Sequence, residues 1–174
     1  VVGLLGPNGA GKTTCFYIIS GLIKPDNGKI NFGKTDITGY PVYERARTGL
    51  GYLPQDISIF KGLSVEDNLL SIIETKEFDN HKRYQILEDL LVEFNITKIR
   101  SSLGITLSGG ERRRVEIARC IASNPTHILL DEPFSGIDPI AIQDLKNLIG
   151  YLKQRKIGVL LSLIHISEPT RQDR

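Results

Sequence analysis

The stretch GPNGAGKTT (residues 6–14) decides the fold class of this chain. It follows the short apolar run VVGLL (1–5), which we predict to be a buried strand, and it leads into a helix that we predict over residues 12–20. It fits the pattern G-x-x-x-x-G-K-[S/T], in which glycines bend the backbone so that successive N–H groups point at phosphate oxygens. The positive end of the following helix then faces the bound anion. The stretch therefore predicts a phosphate-binding loop.

The side chains of this loop indicate a nucleotide with a metal ion. Lys12 would add a point charge near the β- and γ-phosphates, and the Thr13 hydroxyl can be a ligand of Mg²⁺. A glycine-rich turn with an unrelated lysine is the alternative, and the strand and helix on either side argue against it. We expect ATP and Mg²⁺ to bind here, with these nucleotide-binding residues: Gly6, Pro7, Asn8, Gly9, Ala10, Gly11, Lys12, Thr13 and Thr14.

Two acidic residues close the apolar run ILLDEP (128–133). Asp131 ends a strand that we predict to be buried on both faces, and it is a candidate to hold Mg²⁺ through water. Glu132, where the chain leaves the sheet, is a candidate to orient and deprotonate an attacking water. A helix N-cap would explain two acids at a strand end equally well. Behind a phosphate-binding loop, however, they predict the second half of an ATP-hydrolysing site.

The segment LSGGERRR (107–114) predicts a second anion-binding surface. Ser108, Gly109 and Gly110 open a helix, so they offer a hydroxyl, uncovered backbone N–H groups and a positive dipole end. A plain helix N-cap is the alternative interpretation. The three arginines at 112–114 are typical of a solvated helix face, and we expect no nucleic-acid partner.

Composition and periodicity place the rest of the chain in the α/β class. The chain has 174 residues, 40% of them hydrophobic and 24% charged, with a net charge of +2 and two cysteines, which is ordinary for one globular domain with reduced thiols. No apolar run approaches the roughly 20 residues of a membrane span. Strands alternate with helices, which favours a largely parallel sheet. We predict helices over residues 12–20, 41–48, 64–75, 80–94, 111–122 and 139–154. Because the chain lacks methionine and opens inside an apolar run, we expect it to be truncated at the front.

The order and spacing of these motifs resemble those of the ATP-binding subunit of an ABC transporter over residues 1–160. GPNGAGKTT is similar to the Walker A loop, Gln55 to the Q-loop, LSGGE to the signature, ILLDEP to the Walker B strand and SGID (135–138) to the D-loop. Glu111 stands where many relatives carry glutamine. The resemblance implies a P-loop NTPase, RecA-like core with an inserted α-helical subdomain at about 62–105 that continues into the signature helix.

The resemblance also implies roles and partners. Glu132 and Gln55 would be catalytic, Thr13, Gln55 and Asp131 would hold the metal, and Asp138 would act in the D-loop. Two subunits would pair head to tail, with each ATP held between Walker A of one chain and residues 108–110 of the other. The dimer would bind a membrane permease at the cytoplasmic face of the inner membrane.

A narrower resemblance, to the ATPases of lipopolysaccharide-export transporters, rests mostly on PQDISIFKGLSVEDN (54–68). It implies that Phe60 and Lys61 contact the permease, whereas the plainer interpretation makes Phe60 a core residue and Lys61 solvated. ATPases of other transporters, such as branched-chain amino-acid importers, remain an alternative. A soluble ABC protein of translation or DNA repair is an alternative of another class.

The end of the chain departs from the family pattern. The family carries a switch histidine in a segment like GVLITDHN, and in an ungapped alignment from Asp131 this chain reads GVLLSLIH, with Ile164 in the place of the histidine. His165 is one position late, which turns a side chain of an extended segment to the opposite face. LSLIHISEPTR (161–171) also matches the translation of a transposase adapter used for sequencing libraries. We therefore expect residues 161–174 to be a non-native tail, and the 174 residues alone to be poorly folded and nearly inactive.

Overall fold

A four-stranded parallel sheet forms the centre of the protein, in a computed structural model that describes residues 1–133 and 139–163. The sheet strands are β1 (Val2–Leu5), β4 (Leu50–Leu53), β5 (His127–Leu130) and β6 (Gly158–Leu163), in the order β1-β6-β5-β4. A separate antiparallel hairpin pairs β2 (Asn31–Phe32) with β3 (Thr35–Asp36). The helices are α1 (Lys12–Ser20), α2 (Val42–Arg47), α3 (Val65–Ile73), α4 (Asn80–Glu93), α5 (Gly109–Ala122) and α6 (Pro139–Gln154). The predicted α/β class with a largely parallel sheet is confirmed.

Apolar side chains cover both faces of the sheet, because successive residues of a strand point to opposite sides. In β5, Ile128 and Leu130 join the larger core, to which α3, α4, α5 and α6 contribute, whereas Leu129 packs with Phe16 of α1 and Leu50 on the other face. This arrangement explains why the run around ILLDEP shows no polar alternation. It also places helix α1, which begins at the phosphate-binding loop, directly against the central strands.

The inserted helices begin where capping side chains are available. Ser64 accepts a hydrogen bond from the N–H of Asp67 at the start of α3, as its sequence pattern predicts. Asp79 accepts from the N–H of Lys82 at the start of α4. Two short 3₁₀ turns, Thr97–Ile99 and Gly104–Thr106, then lead to α5. Helices α3 and α4 pack on α5, so the predicted helical insertion is present.

The predicted burial of VVGLL is wrong, although the segment does form a strand. Among the described residues, strand β1 lies at the edge of the sheet and pairs only with β6, and the side chains of Val2 and Leu5 are 64% and 68% exposed. An apolar run predicts a buried strand, but the burial of the strand depends on which elements of the fold pack beside it. The strand still serves the site, because the phosphate-binding loop begins at its end.

Strand β6 continues to Leu163, into the stretch 161–174 that we predict to be a non-native tail. Asp138 of the predicted D-loop, and Ile164 and His165 at the predicted switch position, lie outside the described residues. The domain boundaries and the non-native origin of the tail stay predictions. Within residues 1–133 and 139–163, none of the helices combines the length and apolar character needed to cross a membrane.

Candidate nucleotide-binding site

The phosphate-binding loop depends on glycine at two positions because of backbone conformation. Gly9 and Gly11 have φ angles of 80° and 84°, in the left-handed region that other residues adopt only with strain. A Cβ at either position would meet no atom of residues 1–133 and 139–163 within 4 Å, so crowding by these residues is not the reason for glycine there. At Gly6, by contrast, a Cβ would lie 3.1 Å from that of Ala10, which keeps the loop narrow. The loop therefore leaves its exposed residues Pro7, Asn8 and Ala10 facing outward before α1 begins.

The Lys12 side chain joins the loop to the end of β5. Its ammonium donates to the carbonyl oxygens of Gly6 and Pro7, each at a distance of 3.0 Å, and lies 3.2 Å from Glu132 Oε1. The side chain of Lys12 is buried, and that of Glu132 is largely buried. The structure thus brings together the cation and the acid that the sequence places 120 residues apart.

Thr13 and Asp131 form the second contact between the two motifs. Asp131 is buried at the end of β5, and its Oδ1 lies 3.5 Å from Thr13 Oγ1. A carboxylate and a hydroxyl are the hard oxygen donors that Mg²⁺ prefers, so these two residues fit the predicted metal. Gln55 is exposed two residues beyond β4, at the same carboxyl edge of the sheet, since Leu53 pairs with Leu130.

The sequence analysis predicts no role for Ser162, because it assigns residues 161–174 to a non-native tail. Its hydroxyl donates to Asp131 Oδ1 over 2.7 Å and accepts from the backbone N–H of Glu132 over 2.6 Å, and the residue is fully buried. Leu130 pairs with Leu161 in the parallel ladder, so the next residue of each strand is again a neighbour. The alignment with GVLITDHN held the only signal, because there Ser162 stands opposite a threonine and thus opposite another hydroxyl.

The backbone turns sharply at Glu132. Its φ angle is 41°, a left-handed conformation that is uncommon for a residue with a Cβ. This turn lifts the carboxylate away from the direction of β5 and toward Lys12. Strained backbone of this kind persists where surrounding contacts hold it, and here the contact of its N–H with Ser162 does so.

One tyrosine is close enough to Asp131 for the charge of that carboxylate to affect its pKa. Burial raises the pKa of the Tyr52 hydroxyl well above its usual range, and the negative charge of Asp131 contributes in the same direction. The Tyr52 ring meets that of Tyr17 edge to face, with centroids 6.4 Å apart. The Tyr52 hydroxyl is therefore uncharged at any physiological pH.

The predicted second anion surface is the N-terminus of α5. Ser108 is its N-cap and shares a capping box with Glu111: the Ser108 N–H and hydroxyl both donate to Glu111 Oε2, over 2.9 and 2.7 Å. These hydrogen bonds, with the charge of Arg114 as a smaller cause, hold the pKa of Glu111 below its usual value. A Cβ at Gly109 or Gly110 would meet nothing within 4 Å, so no close contact inside the described chain demands glycine there.

The segment after Gln55 is fastened to helix α5. The N–H of Ser58 donates to Glu116 Oε1 over 2.9 Å, and its carbonyl accepts from Arg119. The Arg119 guanidinium lies 4.6 Å from the centre of the Phe60 ring. Phe60 is 51% exposed and Lys61 is exposed, so the interpretation of Phe60 as a core residue is wrong.

Comparison with known proteins accounts for this arrangement of loop, acids and α5. The sequence profile described as ABC transporter matches residues 1–135. This chain belongs to the ABC transporter family. It is 57% identical over 167 residues to a probable ABC transporter ATP-binding protein of Azorhizobium caulinodans, covering 96% of this chain and 59% of that protein. It is 52% identical over 169 residues to the lipopolysaccharide export system ATP-binding protein LptB of Haemophilus influenzae, covering 97% of this chain and 70% of LptB.

The fold of this ABC family chain also matches solved structures. A crystal structure of the ADP conformation of an ATP-binding cassette of an ABC transporter has a TM-score of 0.79 at 28% identity, covering 95% of this chain and 70% of that one. The predicted family and fold class, with its P-loop core and helical insertion, are therefore confirmed. The chain spans less than two thirds of the length of the Azorhizobium protein.

Proposed function

We propose that the protein containing this chain hydrolyses ATP. The observation that carries the proposal is the meeting of the phosphate-binding loop with the end of β5, where Lys12 lies 3.2 Å from Glu132 and Thr13 lies 3.5 Å from Asp131. A loop that only bound an anion would need neither acid. The pair of acids places a metal-holding carboxylate and a proton acceptor within reach of the terminal phosphate of a bound nucleotide.

In this mechanism each residue has a separate task. The N–H groups of the loop and the positive end of α1 hold the phosphates, while the Lys12 ammonium moves from carbonyl contacts to phosphate oxygens. Thr13 and Asp131 would hold Mg²⁺, with Gln55 as a further ligand, and the metal would offset negative charge on the phosphate oxygens. The Glu132 carboxylate orients a water and accepts its proton as the water attacks the γ-phosphate.

Residues 108–110 support a dimer in which α5 of one subunit completes the site of the other. The N-terminus of a 14-residue helix offers a hydroxyl, free backbone space at both glycines and a positive dipole end. No close contact within the described chain requires glycine at positions 109 and 110. We infer that glycine is present there because another molecule approaches the backbone closely. An ATP γ-phosphate held by the partner's loop has the matching negative charge.

For the cargo we propose lipopolysaccharide, with the dimer bound to a permease at the cytoplasmic face of the inner membrane. The support is the 52% identity to an LptB and the exposed Phe60 and Lys61 beside the Q-loop, where a permease contact is expected. Another transporter ATPase is the alternative, and a permease that moves amino acids would favour it.

The hydrolysis proposal is tested by changing Glu132 to Gln in the full-length protein. Turnover should fall by at least about a hundredfold, because the water loses its proton acceptor, while ATP binding remains. The matched control is Glu74→Gln, at a largely exposed glutamate in the helical insertion, which should hydrolyse ATP normally. If turnover survives the change at 132, Glu132 is not the base.

The cargo proposal needs the permease. Permease subunits encoded beside the gene should copurify with the ATPase, and in lipid vesicles the complex should release lipopolysaccharide only with ATP. ATP-driven uptake of branched-chain amino acids by the same complex, without lipopolysaccharide release, would replace this proposal by the alternative.

A further inference from the structure

The hydroxyl at position 162 makes two hydrogen bonds of opposite sense at the end of β5. It donates to the carboxylate of Asp131 and accepts from the N–H of Glu132, over 2.7 and 2.6 Å. Few side chains can do both: a carboxylate cannot donate, an ammonium cannot accept, and an aliphatic side chain can do neither. At a fully buried position these contacts are not shared with solvent, so their loss would leave both partners short of a hydrogen bond.

The first hydrogen bond fixes a carboxylate that has a metal to hold. A carboxylate is planar, so a hydrogen bond to Oδ1 that sets its plane also sets the direction of Oδ2. Thr13, the other proposed ligand, approaches the same Oδ1 at 3.5 Å. Side chains that orient metal ligands in this way commonly change metal affinity by about 10–100-fold when they are replaced.

The second hydrogen bond holds the backbone turn of the base. The left-handed φ of 41° at Glu132 is unfavourable for a residue with a Cβ. By accepting its N–H, the hydroxyl supports the conformation that directs the carboxylate to Lys12, 3.2 Å away. One oxygen atom therefore sets the positions of both acids.

We propose that the hydroxyl at position 162 is a positioning group that couples the metal-holding Asp131 to the base Glu132. The proposal rests on the proposed ATPase function. It concerns the hydroxyl rather than the residue type, so it applies equally to a serine and to a threonine at this place in β6. The proposal makes a specific prediction. Without the hydroxyl, the protein still binds nucleotide, but the metal increases the affinity for nucleotide by a smaller factor.

The test uses the full-length protein with Ser, Thr, Ala or Val at position 162. Thr and Val have nearly the same shape but differ in the hydroxyl, so they separate packing from hydrogen bonding. For each protein, the affinity for a non-hydrolysable ATP analogue is measured in EDTA and in Mn²⁺. We expect equal affinities in EDTA. We expect the gain in affinity caused by Mn²⁺ to be the same for Ser and Thr, and about tenfold smaller for Ala and Val.

A second readout needs neither metal nor nucleotide. Hydrogen exchange of the Glu132 amide should be faster in the Ala and Val proteins than in the Ser and Thr proteins, because its acceptor is missing. If Mn²⁺ increased the affinity for the ATP analogue by the same factor in all four proteins, the positioning role would be overturned. A failure of both Ala and Val proteins to fold would also overturn it, since the role would then be structural. If even the Ser and Thr proteins bind no ATP analogue, the proposed ATPase function itself fails.

Discussion

The Lys12 ammonium and the Glu132 carboxylate lie 3.2 Å apart, although Lys12 begins α1 and Glu132 lies two residues beyond β5. The ion pair is largely screened from water, so the two charges influence each other more strongly than surface charges would. A bound triphosphate would bring further negative charge to the same lysine. The carboxylate that we propose as the base would therefore also oppose the binding of ATP.

Glu132→Gln should consequently tighten the binding of ATP more than that of ADP. At an effective dielectric constant of 20, two unit charges about 5 Å apart repel by about 3 kcal/mol, and the change removes this repulsion while it also frees Lys12 from its ion pair. We expect ATP binding in EDTA to be tighter by on the order of a hundredfold, with a smaller effect on ADP, which lacks the γ-phosphate. Titration with fluorescent nucleotide analogues measures both, with Glu74→Gln as the control. Equal shifts for ATP and ADP would contradict a contact between Glu132 and the terminal phosphate.

Phe60→Ala should weaken binding of the permease without affecting nucleotide binding. The ring is 51% exposed beside Arg119, and replacing it removes apolar surface that only a partner can cover fully. Phe78, which is 85% exposed just before α4, provides the matched control as Phe78→Ala. Copurification with permease subunits and ATP affinity are measured for both variants. Equal loss of permease with both changes would show that Phe60 is no specific contact.

Arg45 provides a test of what holds the phosphate-binding helix in place. Its guanidinium is buried and donates to the carbonyl oxygens of Ile18 and Ile19 at the end of α1, and to those of Thr38 and Tyr40. A positive charge at a helix C-terminus is favourable, and each of these carbonyls would lose the hydrogen bond that Arg45 donates to it. We expect Arg45→Met to lower the free energy of unfolding by about 3 kcal/mol.

The control for Arg45 lies on the same helix. Arg47 is exposed and contacts only the Tyr43 ring in the described structure, at 5.6 Å, so Arg47→Met should cost less than about 1 kcal/mol. Chemical denaturation of the full-length protein measures both changes. If the two variants lose similar stability, the carbonyl contacts of Arg45 contribute little.

The parts of the site that the sequence predicts are those encoded in one local stretch. The loop at 6–14 and the acids after β5 each carry their chemistry in a few consecutive residues, and their meeting follows from the parallel sheet, whose carboxyl ends share one edge. Ser162 escapes such reasoning because the sequence analysis assigns residues 161–174 to a non-native tail. In addition, its two partners lie 31 and 30 residues away, across a strand register that the sequence does not display.

Burial is harder to predict than secondary structure, because it too depends on contacts between residues that are distant in the sequence. VVGLL and Phe60 are apolar, yet in the part of the chain that the structure describes β1 has a sheet neighbour on one side only. Phe60 belongs to a loop that hydrogen bonds from Asn68 hold in place. Asn68 is fully buried and bonds both the N–H and the carbonyl of Phe60. Side-chain hydrophobicity indicates how much a residue gains from burial, whereas distant contacts decide whether it is covered.

The capping box of α5 predicts a pH-dependent difference between Glu111 and glutamine, the residue that many family members carry there. The Ser108 hydroxyl and N–H hold the pKa of Glu111 below its ordinary value of 4.5, with a further contribution from Arg114. A carboxyl group whose pKa is lowered by folding stabilises the protein above its unfolded pKa, and that stabilisation is lost as the pH falls through the folded pKa.

Glu111→Gln should therefore reduce stability at pH 7 and make almost no difference near pH 3. Glutamine can still accept from Ser108, but it brings no negative charge to the positive end of α5, a loss of no more than about 1 kcal/mol that added salt should shrink. Denaturation curves for the full-length protein at several pH values give the difference between the two proteins. Glu74→Gln, at a largely exposed site outside α5, controls for loss of a carboxylate as such. A difference that stays constant from pH 7 to pH 3 would mean that shape, and not charge, makes the capping box stabilising.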